Sequence, residues 1–151
     1  MENQPIYRER LWPNAYVWLF AVLMLAAIAI AAGNVYGYNT ALVIFVSSIA
    51  LLGASVALTT LTIQVTPDYF VVGRARLPLQ YVGQTTVLDR ENTIRARSRD
   101  AHPDAYFAIR SWIAQSVIVV VTDESDPHPY WHISSRHPET LVTALKSVQK
   151  S

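Results

Sequence analysis

The four histidines are the first candidates for chemistry, because imidazole binds metals and transfers protons near neutral pH. None of them forms the helical i, i+4 pair with a neighbouring carboxylate that a zinc site on one helix needs. His128 and His132 flank a turn with three carboxylates, so a divalent cation is one interpretation, and a solvated hairpin loop is the favoured one. We predict no metal and no other cofactor. The histidines are His102, His128, His132 and His137, and the turn carboxylates are Asp123, Glu124 and Asp126.

A second candidate is acid–base chemistry by Asp100 and Asp104 with His102 between them. They lie in an arginine-rich polar segment, where exposed charge pairs are the favoured interpretation. The chain has no cysteine, only five glycines and no recognisable nucleophile elbow around a serine. We therefore predict that the protein is not an enzyme. The alternative is a membrane enzyme acting on a lipid-linked or cell-envelope substrate through these three residues.

The arginines are the most informative polar residues. Guanidinium groups bind phosphates and carboxylates in a bidentate way, and each one near an anionic membrane adds about 1 kcal/mol of attraction. We interpret two groups as lipid- or partner-binding residues. Ordinary juxtamembrane charge, paired with nearby carboxylates, is the alternative. The formal net charge of +1 gives no indication of nucleic acid binding. The groups are Arg74 and Arg76, then Arg90, Arg95, Arg97 and Arg99.

The elements that position these residues begin with an apolar stretch. Residues 11–67 contain no Asp, Glu, Lys, Arg or His, although about a quarter of residues in soluble proteins are charged. A turn rich in Gly and Asn at residues 33–40 divides the stretch into apolar segments at about 15–32 and 41–61, each long enough to span a bilayer. Ala50, Gly53, Ala54 and Ala57 recur at a spacing near four, which favours close helix packing against the first span or another protein.

The distribution of arginines predicts the orientation of the two spans. Arg8 and Arg10 precede the first span, Arg74 and Arg76 follow the second, and the turn has no Lys or Arg. By the positive-inside rule both termini are cytoplasmic at the cell membrane. A cleaved signal peptide ending near Ala31 is a competing interpretation, which the second span directly afterwards disfavours.

The rest of the chain predicts one small α+β domain. Period-two alternation of β-branched residues starts at Leu61, and further strands are expected at 69–72, 75–79, 81–88, 105–109, 113–122 and 130–134. Residues 89–104 are a long loop or a short surface helix. A C-terminal amphipathic helix starts near Pro138. We expect an antiparallel sheet or barrel capped by this helix, with residues 1–61 forming an N-terminal tail and two spans, and 62–151 the domain.

Four strings give the chain a resemblance to a family of actinobacterial membrane proteins that is known as a domain of unknown function. The resemblance implies two spans, a cytoplasmic tail and a plasma-membrane location, and it supplies no activity. The tail is also similar, in its order of elements, to bacterial pleckstrin-homology-like (PH-like) domains. The strings are Tyr7-Arg8-Glu9-Arg10-Leu11-Trp12, Val72-Gly73-Arg74-Ala75-Arg76-Leu77-Pro78-Leu79, Pro129-Tyr130-Trp131 and Ser134-Ser135-Arg136-His137-Pro138-Glu139.

Together these features predict a non-enzymatic accessory or adaptor protein. A helical hairpin would hold a PH-like domain at the cytoplasmic face, where it binds a membrane-protein partner or anionic lipid. Another membrane protein or a second copy of the chain is the expected partner besides lipid, and no nucleic acid is expected. A transporter is disfavoured, because neither span contains an ionisable residue.

Overall fold

Two long apolar helices dominate the first part of the computed structural model, which describes residues 4–149. Residues 1–3 and 150–151, included in the predicted domain ranges, lie outside the described residues. Helix α1 is Ala15–Tyr36 and α2 is Tyr38–Thr59, with 22 residues each. At 1.5 Å per residue each is about 33 Å long. By length and composition both could cross a membrane, and Ala29 is the one buried residue described in the two helices.

The turn between α1 and α2 is much shorter than the predicted 33–40. Only Gly37 is non-helical, with φ +91°, a conformation that favours glycine. The side chain of Thr40, in α2, donates to the carbonyl of Tyr36, in α1, at 3.1 Å, so this hydrogen bond closes the turn. The helices pack closely where a Cβ on Gly33 would lie 2.9 Å from Cβ of Ala41.

The segment before α1 is a strand rather than the predicted tail. Strand β1, Tyr7–Leu11, pairs antiparallel with β2, Leu61–Val65, in a register that places Leu11 opposite Leu61. Residues 4–11 therefore group with the β domain, and the helical pair interrupts that domain. Sequence reasoning missed β1 because three of its five residues are charged and its partner lies about fifty residues later.

The first sheet is an antiparallel meander in the order β1-β2-β3-β4. Strand β3 is Tyr69–Val72 and β4 is Ala75–Pro78. Alternate residues of the strands are buried, as expected for a sheet with one face on the core. The buried apolar residues of this face are Leu11, Leu61, Ile63, Val65, Phe70, Val72 and Leu77.

The second sheet has the order β5-β7-β8-β6 and contains one parallel pair. Its strands are β5, Val82–Leu88, β6, Tyr106–Ala108, β7, Ser116–Val121, and β8, Tyr130–Ser134. Strand β6 runs parallel to β8, which corrects the expectation of a purely antiparallel sheet. The reason is the long crossover from β6 to β8, which contains all of β7. The polar segment after β5 forms a surface helix, α3, Arg90–Ser98, whose N-cap Asp89 accepts from the backbone N of Asn92 at 2.9 Å.

The core of the domain joins both sheets and the C-terminal helix α4, Pro138–Gln149. Leu141 and Leu145 of α4 are fully buried in it. Trp131 is a core residue: its ring centroid lies 5.9 Å from that of Phe70 and 4.9 Å from that of Tyr106. The described fold is thus two long apolar helices, a small β-sheet domain and a C-terminal helix.

Candidate functional site

The outer face of the first sheet carries a row of residues that ends in an arginine at each edge. In β1 the side chains of Arg8 and Arg10 are exposed, while Glu9 and Leu11 between and after them are buried. The strand register then aligns one row across the sheet, Arg8 opposite Gln64, Gln64 opposite Val71 and Val71 opposite Arg76. Since strands lie about 4.8 Å apart, the backbones of Arg8 and Arg76 are about 14 Å apart.

A second row lies nearer to the points where the chain enters and leaves the helices. Arg10 is opposite Thr62, and the carbonyl of Thr62 accepts from the backbone N of Gly73 at 2.8 Å. Gly73 has φ +62° and a Cβ there would meet Leu61 Cδ1 at 2.9 Å, so glycine fits this close approach. The turn it forms holds Arg74 at the same end of the sheet as Arg10.

No carboxylate of residues 4–149 neutralises these arginines. Arg8, Arg10, Arg74 and Arg76 make no ion pair within the described part of the chain. The strands and turns of the first sheet contain two carboxylates, Glu9, which is turned inward, and Asp68, which lies in the turn at the opposite end. We call Arg8, Arg10, Arg74 and Arg76 the basic sheet face.

The structure brings together only part of the predicted arginine set. Arg90, Arg95, Arg97 and Arg99 lie on or just after α3 beside the second sheet, and helical periodicity distributes them around the helix. Arg95 pairs with Glu91 at 3.2 Å, and both side chains are mostly exposed, so this bond contributes at most about 1 kcal/mol. Arg8 and Arg10 were missed as site residues, because placing them beside Arg74 and Arg76 requires the register of distant strands.

The carboxylate of Glu9 lies below the basic sheet face and is 8% exposed. It accepts three hydrogen bonds, from the hydroxyl of Tyr7 at 2.8 Å, the hydroxyl of Ser135 at 2.7 Å and the backbone N of Arg136 at 2.7 Å. Burial, and then the hydrogen bond to Glu9, raise the pKa of Tyr7. The first and last of the four sequence strings therefore meet at one carboxylate, which fastens β1 to the segment before α4.

A second buried polar chain runs beneath α3. The hydroxyl of Thr93 bonds that of Ser116 at 2.8 Å, and the Ser116 hydroxyl bonds Nε2 of His132 at 2.7 Å. Burial, and then the charge of Arg97, lower the pKa of His132 to about 4. Nδ1 has no partner among the described residues, and neither Ser116 nor His132 is exposed at all. This serine–histidine contact thus has no orienting carboxylate among residues 4–149, and it is closed to solvent.

The alternative interpretation of a cation site at the β7–β8 turn has no support in the geometry. His132 points into the buried chain, and Nδ1 of His128 instead lies 2.7 Å from the backbone O of Asp104. Asp123 accepts from the hydroxyl and backbone N of Ser125 at 2.6 and 2.9 Å, bonds that lower the pKa of this carboxyl. Within residues 4–149, no cluster of three His, Asp or Glu side chains could hold a metal ion.

The acid–base group of the alternative enzyme hypothesis lies on an exposed loop. Nδ1 of His102 is 3.9 Å from a carboxylate oxygen of Asp104 and accepts the backbone N–H of that residue at 3.3 Å. The backbone N of His102 donates to the hydroxyl of Tyr130 at 3.0 Å. Asp100 is also exposed. These contacts describe a polar loop held against β8.

Comparison with known proteins gives one result that covers almost the whole fold. Neither the curated proteins nor the solved structures yield a match. Residues 6–145 match a family model, and this range includes β1, the helical pair, both sheets and most of α4. The chain belongs to the family described as "Protein of unknown function (DUF3093)".

Proposed function

We propose that this protein is a membrane-anchored, non-enzymatic accessory protein that holds a PH-like domain at the cytoplasmic face of the cell membrane. There the domain would serve a membrane-protein partner or anionic lipid. The observation that carries the proposal is the insertion of two apolar helices between paired strands of one sheet. Three residues join β1 to α1 and only Thr60 joins α2 to β2, so the longer connection spans at most about 14 Å.

This double connection has a functional consequence. A domain on a single flexible tail can move far from its anchor, whereas a domain tied at two adjacent strands stays within a few residues of the helices. Two sheets and a C-terminal helix that share one core also suit a PH-like fold. The PH-like fold and the actinobacterial source are both part of this proposal. Such a domain is suited to binding at the membrane, rather than to capturing partners from solution.

The strand pairing also supports an uncleaved N-terminus. Cleavage near Ala31 would remove β1, and with it the fully buried Leu11 and the carboxylate of Glu9 with its three donors. The remaining domain would expose the edge of β2. An intact first helix fits the proposal that both helices are membrane spans, with residue 37 outside and both termini inside.

Single-cysteine labelling tests the location, because the natural chain has no cysteine. Asn39→Cys lies at the turn between the helices and Ser125→Cys lies on an exposed domain turn. With an impermeant thiol reagent on intact cells, we expect labelling of the first variant and not the second, and the reverse in inverted vesicles. Equal labelling of both from outside would contradict the proposal.

Purification of the full chain in mild detergent tests the accessory role. We expect the protein to retain either a second membrane protein or bound anionic lipid, both of which mass spectrometry detects. A chain that purifies alone and free of anionic lipid would contradict this role, even where the labelling result is as expected.

A further inference from the structure

We infer that the basic sheet face, Arg8, Arg10, Arg74 and Arg76, is a binding site for phosphate-bearing headgroups of anionic lipids. The inference rests on the proposed function, since it needs the domain at the inner leaflet. It differs from a general juxtamembrane charge effect because it assigns binding to one sheet face and not to the arginines of α3.

The geometry of the face suits several headgroups rather than one buried anion. The two arginine rows are about 7 Å apart along the strands, and the sheet is about 14 Å wide. The residues between them are the neutral Thr62, Gln64 and Val71, which are all partly exposed. A flat, open surface of this kind matches the plane of a leaflet better than it matches a pocket for a free metabolite.

Charge complementarity indicates which ligand the basic sheet face binds. The four arginines have no carboxylate partner among residues 4–149, and guanidinium groups bind phosphate oxygens in a bidentate way. Arg10 and Arg74 lie at the end of the sheet from which the chain enters α1 and leaves α2. Anionic lipid is therefore the ligand of matching charge that the adjacent membrane would supply at high local concentration.

The surface around α3 makes a matched control. It has the same number of arginines, but Arg95 is already paired with Glu91 and helical periodicity points the arginines in different directions. Replacing Arg90, Arg95, Arg97 and Arg99 by Gln changes the net charge as much as replacing the four arginines of the basic sheet face. The two quadruple variants thus separate a defined site from bulk charge.

The experiment uses the full chain in nanodiscs, with Gln64→Cys carrying an environment-sensitive fluorophore at the centre of the face. The discs contain phosphatidylcholine alone or with one-third brominated phosphatidylglycerol. We expect the anionic lipid to quench the fluorophore. This quenching should be lost at 1 M salt, where the Debye length is about 3 Å. Soluble glycerol phosphate should not change the fluorescence in neutral discs. In the sheet-face variant the apparent lipid affinity should fall by about fivefold per arginine, whereas the α3 variant should retain at least half of the quenching.

Three results would overturn the inference. Equal loss in both variants would show bulk charge, and a response to soluble glycerol phosphate in neutral discs would show a free-anion site. The third result combines two observations: anionic lipid causes no quenching, and a membrane protein partner co-purifies with the wild type but not with the sheet-face variant. This result would show that the basic sheet face binds a protein. This last result would leave the proposed accessory role standing, whereas labelling of Ser125→Cys from outside would remove both.

Discussion

At the scale of single residues, the most constrained polar group is the Glu9 carboxylate. It is almost completely buried and satisfies donors from Tyr7, Ser135 and Arg136. Hydrogen bonds to a charged acceptor contribute more than neutral ones, and a buried donor left without a partner costs about 1–3 kcal/mol. The exposed arginines on either side of Glu9 can therefore keep their outward direction because the residue between them is fixed.

Glu9→Gln tests this role. The amide keeps the shape of the side chain but places an NH₂ group against donors, so we expect the free energy of unfolding to fall by about 1–3 kcal/mol. Denaturant unfolding of the full chain in detergent micelles measures the change. Glu124→Gln, on an exposed turn, should change stability by less than about 0.5 kcal/mol. Equal stability of the two variants would contradict the role given to Glu9.

His132 predicts a pH dependence of stability. Its pKa is lowered to about 4 in the folded protein, whereas it titrates near 6.5 in an unfolded chain. The unfolded state thus binds more protons between these values, so stability is full above pH 6.5 and falls as the pH falls towards 4, by on the order of 3 kcal/mol.

The difference between wild type and His132→Gln isolates this contribution from that of the carboxylates. Unfolding in micelles from pH 7.5 to 4.5 should show a shallower decline in the variant, whatever its stability at pH 7.5. Parallel curves for the two proteins would contradict the assignment of a neutral, buried His132.

At the scale of elements, the sequence predicts most helices and strands because their patterns are local. The alternation from Leu61 to Val65, the β-branched run of β7 and the apolar stripe of α4 each appear within a few residues. Elements whose pairing partner lies far along the chain could not be predicted from local patterns. Strand β1 has three consecutive charged residues, Arg8-Glu9-Arg10, so it shows no alternation of apolar residues. The parallel neighbour of β6 depends on the path of a long crossover.

The candidate site shows the same limit. Arg74 and Arg76 were identified from the sequence, but the grouping with Arg90, Arg95, Arg97 and Arg99 was an inference from proximity along the chain. The sheet register instead groups them with Arg8 and Arg10. The turn of the helical pair was predicted too long for a related reason, since Gly and Asn are enriched in turns generally, while here one glycine is sufficient.

The glycines within α1 and α2 give an element-scale prediction. Gly33 touches the facing helix, where a Cβ would be 2.9 Å from Ala41, whereas a Cβ on Gly53 meets nothing within 4 Å. Gly33→Val should therefore destabilise the helical pair by about 1–3 kcal/mol through overpacking, seen as a lower melting temperature by circular dichroism in micelles. Gly53→Val should melt like the wild type, and equal effects would contradict the observed packing of α1 on α2.

At the scale of the whole molecule, the helical pair is an insertion in a β-hairpin. Strands β1 and β2 are neighbours in the sheet, yet the connection between them holds all of α1 and α2. The proposed membrane anchor is thus attached to β1 and β2, two strands of the sheet that also carries the proposed lipid-binding face.

The most direct test of this arrangement is a disulfide across β1 and β2 in native membranes. Arg8 and Gln64 are register partners, with Cα atoms about 4.5–5.5 Å apart in an antiparallel pair, which suits a disulfide. When isolated membranes are treated with an added thiol oxidant, we predict that the Arg8→Cys/Gln64→Cys chain forms an intramolecular bridge, detected by mass spectrometry. The diagonal Arg8→Cys/Thr62→Cys pair should form little under the same oxidation. Absence of the Arg8–Gln64 bridge, or loss of residue 8 by cleavage from the mature chain, would contradict the account.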